Sequence, residues 1–151
     1  MKIDYDTISD TYDGIRSVNP DMAGTIMEGA GLFSGARVLD VGCGTGNIEA
    51  ALARVIELDA VGVDLSLGML AKARAKVPGV KWVRADSRDL PLRSQSFDRV
   101  LMVYMLHHLP DFIPAIREAH RVLDSGRLVI VTASHEQVDE SFISRFFPSY
   151  A

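Results

Sequence analysis

A chain of 151 residues is long enough for one domain with its own core and too short for two ordinary ones, so residues 1–151 are read as a single domain. Hydrophobic residues make up 48% and charged residues 24%, which excludes a disordered chain, and no apolar run approaches the roughly 20 residues of a membrane span. A net charge of -4 with no lysine or arginine block argues against a nucleic-acid partner; acids in the first six residues argue against a secretory signal, so a cytoplasmic setting is expected.

In chain order, residues 1–35 carry no strand-like run. Tyr5, Ile8, Tyr12 and Ile15 recur at spacings of three and four, the period of one helix face. Asn19-Pro20 breaks the pattern, and Asp21–Leu32 forms a second candidate helix with Met22, Ile26 and Met27 inward. These helices either pack on a sheet or form a lid carrying Tyr12 and Arg16. From Arg37 strands and helices alternate: strand 37–41, helix 46–55, strand 60–64, helix 66–77 and strand 80–84. That alternation predicts a parallel sheet with crossover helices. Ser66 is placed as an N-cap above a stripe of Met69, Leu70, Ala73 and Val77, and Pro78-Gly79 stops the helix.

The polar segment Ala85–Phe97 is read as a binding loop, followed by a buried strand over 98–103. Asp111 is expected to cap a helix reaching Leu123, with Ile113, Ile116, His120 and Leu123 near one side. Asp124-Ser125-Gly126 is expected to form a short turn before a fifth strand at 128–131. Residues 136–151 are expected to form a terminal helix.

The chemistry concentrates in Val38-Leu39-Asp40-Val41-Gly42-Cys43-Gly44-Thr45-Gly46, an apolar strand running into a glycine-rich turn. Glycines at alternate positions permit positive φ and leave no side chain between backbone and ligand, and the following helix directs its unpaired N–H groups at the same spot. A dinucleotide fingerprint requires G-x-G-x-x-G. Here the third position is Asn47 and the glycine falls one early, at Gly46. Asp40 would repel a pyrophosphate, whereas a sulfonium cofactor with an α-amino group would accept it, so S-adenosylmethionine is favoured. Asp64 ends the second strand about 20 residues on, where an acid that grips ribose hydroxyls belongs. Cys43 has no internal disulfide partner and reads as a small structural side chain rather than a nucleophile.

These segments, together with Val61–Ser66, Ala85-Asp86-Ser87 and Phe97–Asp111, resemble the ordered motifs of class I S-adenosylmethionine-dependent methyltransferases, nearest the ubiquinone/menaquinone-biosynthesis type. The resemblance implies an α/β doubly wound, Rossmann-like sheet, mostly parallel, in strand order 3-2-1-4-5, without the family's usual carboxyl-terminal antiparallel strands. It implies that Asp40, Gly42, Cys43, Gly44 and Gly46 hold the methionine moiety, that Asp64 holds the ribose, and that Leu65 and Met69 flank the adenine. Asp86 and Ser87 would meet the adenine edge, Val103 would approach through its backbone, and Tyr12 and Arg16 would close over the cofactor.

The function implied is methyl transfer from S-adenosylmethionine to a small-molecule acceptor, leaving S-adenosylhomocysteine. In-line displacement asks the protein chiefly for alignment. No catalytic base is identified; Tyr104, His107 and Tyr12 are candidates to reach an acceptor, with packing an equal reading for Tyr104 and capping of the loop for His107. The alternative is a non-catalytic module that binds the cofactor or another protein. Adjacent His107 and His108 are not expected to face one another, and no metal site is expected. An exposed fifth-strand edge suggests a truncated chain or a homodimer formed there.

Overall fold

The computed structural model describes residues 5–15 and 20–132. The expected terminal helix over 136–151 and Arg16 lie outside them. The elements run α1 (Tyr5–Ile15), α2 (Pro20–Ala30), β1 (Ala36–Val41), α3 (Asn47–Leu52), β2 (Leu58–Asp64), α4 (Leu67–Lys76) and β3 (Lys81–Arg84). After a long loop come β4 (Phe97–Val103), a single 3-10 turn at Leu106–His108, α5 (Ile113–Val122) and β5 (Leu123–Val131). The five strands form one parallel sheet in the order β3-β2-β1-β4-β5, the expected Rossmann-like arrangement.

Successive side chains on a strand point to opposite faces, and both faces here are covered. Leu39, Val41, Val100 and Met102 pack with Ala115, Ala119 and Val122 of α5. Val38 and Leu101 pack with Ile26 and Ala30 of α2 and with Ile48 and Leu52 of α3. On the outer part of the sheet Trp82 meets Leu70 and Ala73 of α4. Coverage of both faces explains why the central strands read as continuous apolar runs.

Several sequence expectations are corrected. The buried stripe of α5 is Ala115, Ala119 and Val122, whereas Ile113 and His120 are exposed; small residues allow α5 to approach the sheet closely. Asp111 accepts from the Ile113 backbone N–H at 3.0 Å, but the helix begins one residue later than a cap there requires. Helix α3 is only six residues long. Asp124-Ser125-Gly126 is no turn, because β5 starts directly after α5 and includes these residues across a register irregularity opposite Phe97–Arg99. A Cβ on Gly126 would sit 1.7 Å from the Asp98 carbonyl oxygen, so only glycine fits that irregularity.

The long loop is held from α5. Leu90 N–H donates to Glu118 Oε2 at 2.8 Å, and Arg121 donates to the carbonyls of Leu90 at 3.0 Å and Leu92 at 2.8 Å. These bonds fix the segment that carries Asp86 and Ser87 over the carboxyl ends of the strands.

Candidate functional site

Gly42, Gly44 and Gly46 all have positive φ, of 77°, 55° and 73°. The turn they form is sewn to β2: the N–H groups of Gly42 and Cys43 donate to the Val63 carbonyl at 2.7 and 3.0 Å, and Gly44 N–H donates to Asp64 Oδ2 at 2.9 Å. A side chain on Gly46 would strike Trp82 at 2.7 Å, while one on Gly44 would meet nothing within 4 Å. Gly46 therefore serves packing. Gly44 leaves open space, and it borders a cavity of about 970 Å³ at the carboxyl ends of the strands.

Asp40 lies on the cavity wall, 2% exposed. No other described residue donates to its Oδ1. Asp64, also on the wall, already takes two backbone donors, from Gly44 and, at Oδ1, from Ser66 N–H at 2.9 Å. It is thus both a turn tether and a wall carboxylate, since each oxygen retains a second acceptor site. Burial pushes its carboxyl above the usual range. Leu65 and Met69 line the same side of the cavity, half exposed and buried respectively. Ser66 caps α4 as expected, accepting from Met69 N–H at 3.1 Å.

Asp86 and Ser87 border the cavity. Arg88 grips Asp86 with its backbone N–H and guanidinium at 2.6–2.9 Å, a pairing the sequence reading did not anticipate. Val103 lines the opposite wall with Tyr104, which has φ of 51° and donates its N–H to the Val131 carbonyl at 2.7 Å. Cys43 is buried, and burial with the acids around it pushes its thiol well up, so it is an inert wall residue.

Helix α1 lies along α4 and places Tyr5 and Tyr12 on the cavity wall, whereas α2 packs against α3 and β5. One face of α1 is acidic, and it docks by polar contacts. Asp6 accepts from Ser66 Oγ and from Gly68 N–H, the latter at 2.7 Å. Asp10 pairs with Lys72 at 2.6 Å. Asp13 pairs with Lys76 at 2.7 Å and accepts from Thr45 Oγ1 and Asn47 Nδ2. These acceptances hold the Asp6 and Asp10 carboxyls below the usual range. At the other rim Tyr5 Oη lies 2.8 Å from His108 Nε2. The rings of His107 and His108, not expected to face one another, have centroids 3.9 Å apart and planes tilted by 52°. Among the described residues no group of three His, Cys, Asp or Glu could hold a metal ion.

Sequence reading missed Glu49. It sits on the inner face of α3, 5% exposed, with neither carboxyl oxygen accepting from another residue. Its carboxylate acts on Asp40 as a like charge. Burial raises the Asp40 carboxyl well above its ordinary value, with Glu49 adding to the rise, and burial pushes Glu49 up to about 7. The available signal was its spacing from buried Ile48 and Leu52, but a glutamate in a helix's first turn ordinarily faces water.

A family model described as a methyltransferase domain matches residues 39–131. The chain belongs to the class I S-adenosylmethionine-dependent methyltransferase family. It is 31% identical over 136 residues to a demethylmenaquinone methyltransferase of Staphylococcus aureus (strain JH9), covering 83% of this chain and 56% of that protein. The chain therefore spans about half the length of the curated relatives it matches. Among solved structures, a Haemonchus contortus phosphoethanolamine N-methyltransferase 2, in complex with phosphomonomethylethanolamine and S-adenosylhomocysteine, matches with a TM-score of 0.72 at 27% identity. That match covers 83% of this chain and 32% of the other. The 4+2 cyclase SpnF matches with a TM-score of 0.74 at 25% identity over 83% of this chain and 56% of its own.

S-adenosylmethionine is the cofactor of this methyltransferase family, and the wall has groups that suit it. Asp40 places a carboxylate on the cavity wall, and the space over Gly44 lets a ligand reach the backbone.

Proposed function

We propose that the domain binds S-adenosylmethionine across the carboxyl ends of β1, β2 and β4 and takes part in methyl transfer to a small-molecule acceptor. The observation that carries this reading is the buried Asp40 carboxyl on a glycine turn, beside the β1–β4 junction where the sheet order reverses. When bound there, the cofactor supplies an electrophilic methyl group. Asp40 and the turn from Gly42 to Gly46 receive its methionine end, with the carboxylate accepting from the ammonium. Asp64 accepts from the ribose hydroxyls while still tethering Gly44. Leu65 and Met69 sandwich the adenine, and Ser87 meets its edge. Asp86 accepts from the adenine amino group through lone pairs that Arg88 leaves available. Val103 presents backbone to the methionine end, and α1 with Tyr12 covers the site as a lid. Tyr104 and His107 border the acceptor side, where the protein's task is to hold the acceptor in line and keep water out.

A second reading is a cofactor-binding domain that transfers no methyl group by itself. SpnF favours it, since a cyclase shares this fold. Incubation with S-adenosylmethionine and a panel of phenol, quinol and amine acceptors distinguishes the two. Acceptor-dependent formation of S-adenosylhomocysteine supports the transferase, and binding without turnover across the panel supports the alternative.

A further inference from the structure

The glycine turn is fixed in two halves by different means. Its first half is bound to β2 through backbone: the N–H groups of Gly42 and Cys43 donate to the Val63 carbonyl, and that of Gly44 to Asp64. Beyond Gly44 the ties are side chains that reach α1 and α4. Thr45, 1% exposed between two glycines of positive φ, donates its hydroxyl to Asp13 Oδ1 of α1. Asn47, the first residue of α3, donates from Nδ2 to the same oxygen at 3.1 Å. Lys76, the last residue of α4, donates to Asp13 Oδ2 at 2.7 Å, to Asn47 Oδ1, and to Thr45 Oγ1 at 3.3 Å.

Asn47 stands where a dinucleotide fingerprint would carry its third glycine. A glycine has no side chain to give, whereas this asparagine donates to Asp13 and accepts from Lys76. The departure from the fingerprint thus joins the turn to α1. Thr45 and Asn47 border the cavity, while Asp13 and Lys76 do not. A change at Asp13 therefore removes no contact with a ligand in the cavity, and its effect on binding must pass through the residues it holds. Asp10 supplies the contrast on the same helix. It pairs with Lys72 of α4 at 2.6 Å, and neither residue borders the cavity or touches the turn.

We propose that Asp13 is a positioning residue for the cofactor: from α1 it holds Thr45 and Asn47, and so sets the second half of the glycine turn in the conformation that receives the methionine end. The inference rests on the proposed cofactor reading. Coupling of this kind is reciprocal, so a ligand that favours that turn conformation also favours the seating of α1 upon it. Asp10 anchors α1 without reaching the turn and is a docking contact only. Because the Asp13 side chain is 42% exposed, the coupling belongs at the low end of the usual range, about five- to tenfold in affinity.

The test is titration calorimetry with S-adenosylhomocysteine on the wild-type chain, Asp13→Ala and Asp10→Ala. Both variants exchange aspartate for alanine in one helix, so their effects on helix propensity match. Asp13→Ala is expected to weaken binding about five- to tenfold and Asp10→Ala by less than about twofold. In a Thr45→Val background, which lacks the hydroxyl that Asp13 holds, the loss caused by Asp13→Ala is expected to shrink. Hydrogen exchange of the wild-type chain gives a readout that needs no variant: S-adenosylhomocysteine should slow exchange in residues 5–15, and less so in Asp13→Ala. Unchanged affinity in Asp13→Ala, an equal loss in Asp10→Ala, full additivity with Thr45→Val, or no slowing of α1 in wild type overturns the inference alone. Failure of the wild-type chain to bind S-adenosylhomocysteine overturns the proposed function, and the inference with it.

Discussion

Gly44 and Gly46 stand two positions apart in one turn yet carry different burdens. Alanine at position 44 meets no neighbour, so Gly44→Ala should cost only the left-handed backbone penalty of about 1 kcal/mol in urea unfolding while its methyl group blocks the cavity and abolishes cofactor binding. Gly46→Ala adds a collision with Trp82 and Ala73 and should cost about 3 kcal/mol. Similar losses of stability in both would contradict this division. Asp64 was legible in the sequence because a strand end and a glycine turn upstream specify its place. Its tether to Gly44 and the burial of Glu49 were not, since both depend on which way a loop and a short helix face. Arg88 escaped notice for the same reason: the Asp86–Arg88 pair is made by the fold of the loop, not by spacing on a regular element.

At the scale of elements, α1 was legible as a helix, but its docking was not. The apolar period of Tyr5, Ile8, Tyr12 and Ile15 marked one helix face, but it did not show that Asp6, Asp10 and Asp13 make polar contacts with Ser66, Gly68, Lys72 and Lys76. Ion pairs at a surface are weakened by salt. Hydrogen exchange in residues 5–15 is therefore expected to accelerate with ionic strength and in Asp6→Ala and Asp13→Ala, while exchange in the central strands is unchanged. Uniform acceleration across the protein would show that α1 does not open on its own. The extent of β5 was missed because Asp-Ser-Gly is turn chemistry by composition, and here the same residues form a strand irregularity against Asp98. Gly126→Ala should destabilise the protein by about 3 kcal/mol through that contact; a neutral effect in urea unfolding would contradict the strand geometry.

For the whole molecule, the strand order followed from the alternation of elements and the family resemblance together, and the coverage of both sheet faces follows from the apolar runs. Electrostatics add a property no pattern revealed. Hydrogen bonds from Arg37 hold Asp98 below the carboxylate range, and hydrogen bonds from Arg121 do the same for Glu118. A lowered carboxyl contributes stability above its unfolded value and loses it as pH falls through the folded one, so the acid limb lies below about pH 4. The raised Asp40–Glu49 pair removes stability on the other side, as pH climbs toward 7. Ligand-free stability should peak between about pH 4 and pH 6, and a plateau through pH 8 would contradict the buried pair. The glycine turn and Asp64 are proposed to seat S-adenosylmethionine together. Titration calorimetry of the wild-type chain and of Asp64→Asn with S-adenosylmethionine tests it most directly. Saturable one-to-one binding is expected, weakened in Asp64→Asn by about tenfold to a hundredfold, the loss of a hydrogen bond to a charged group; no heat at about millimolar ligand, or equal affinity in both proteins, would rule out that seat.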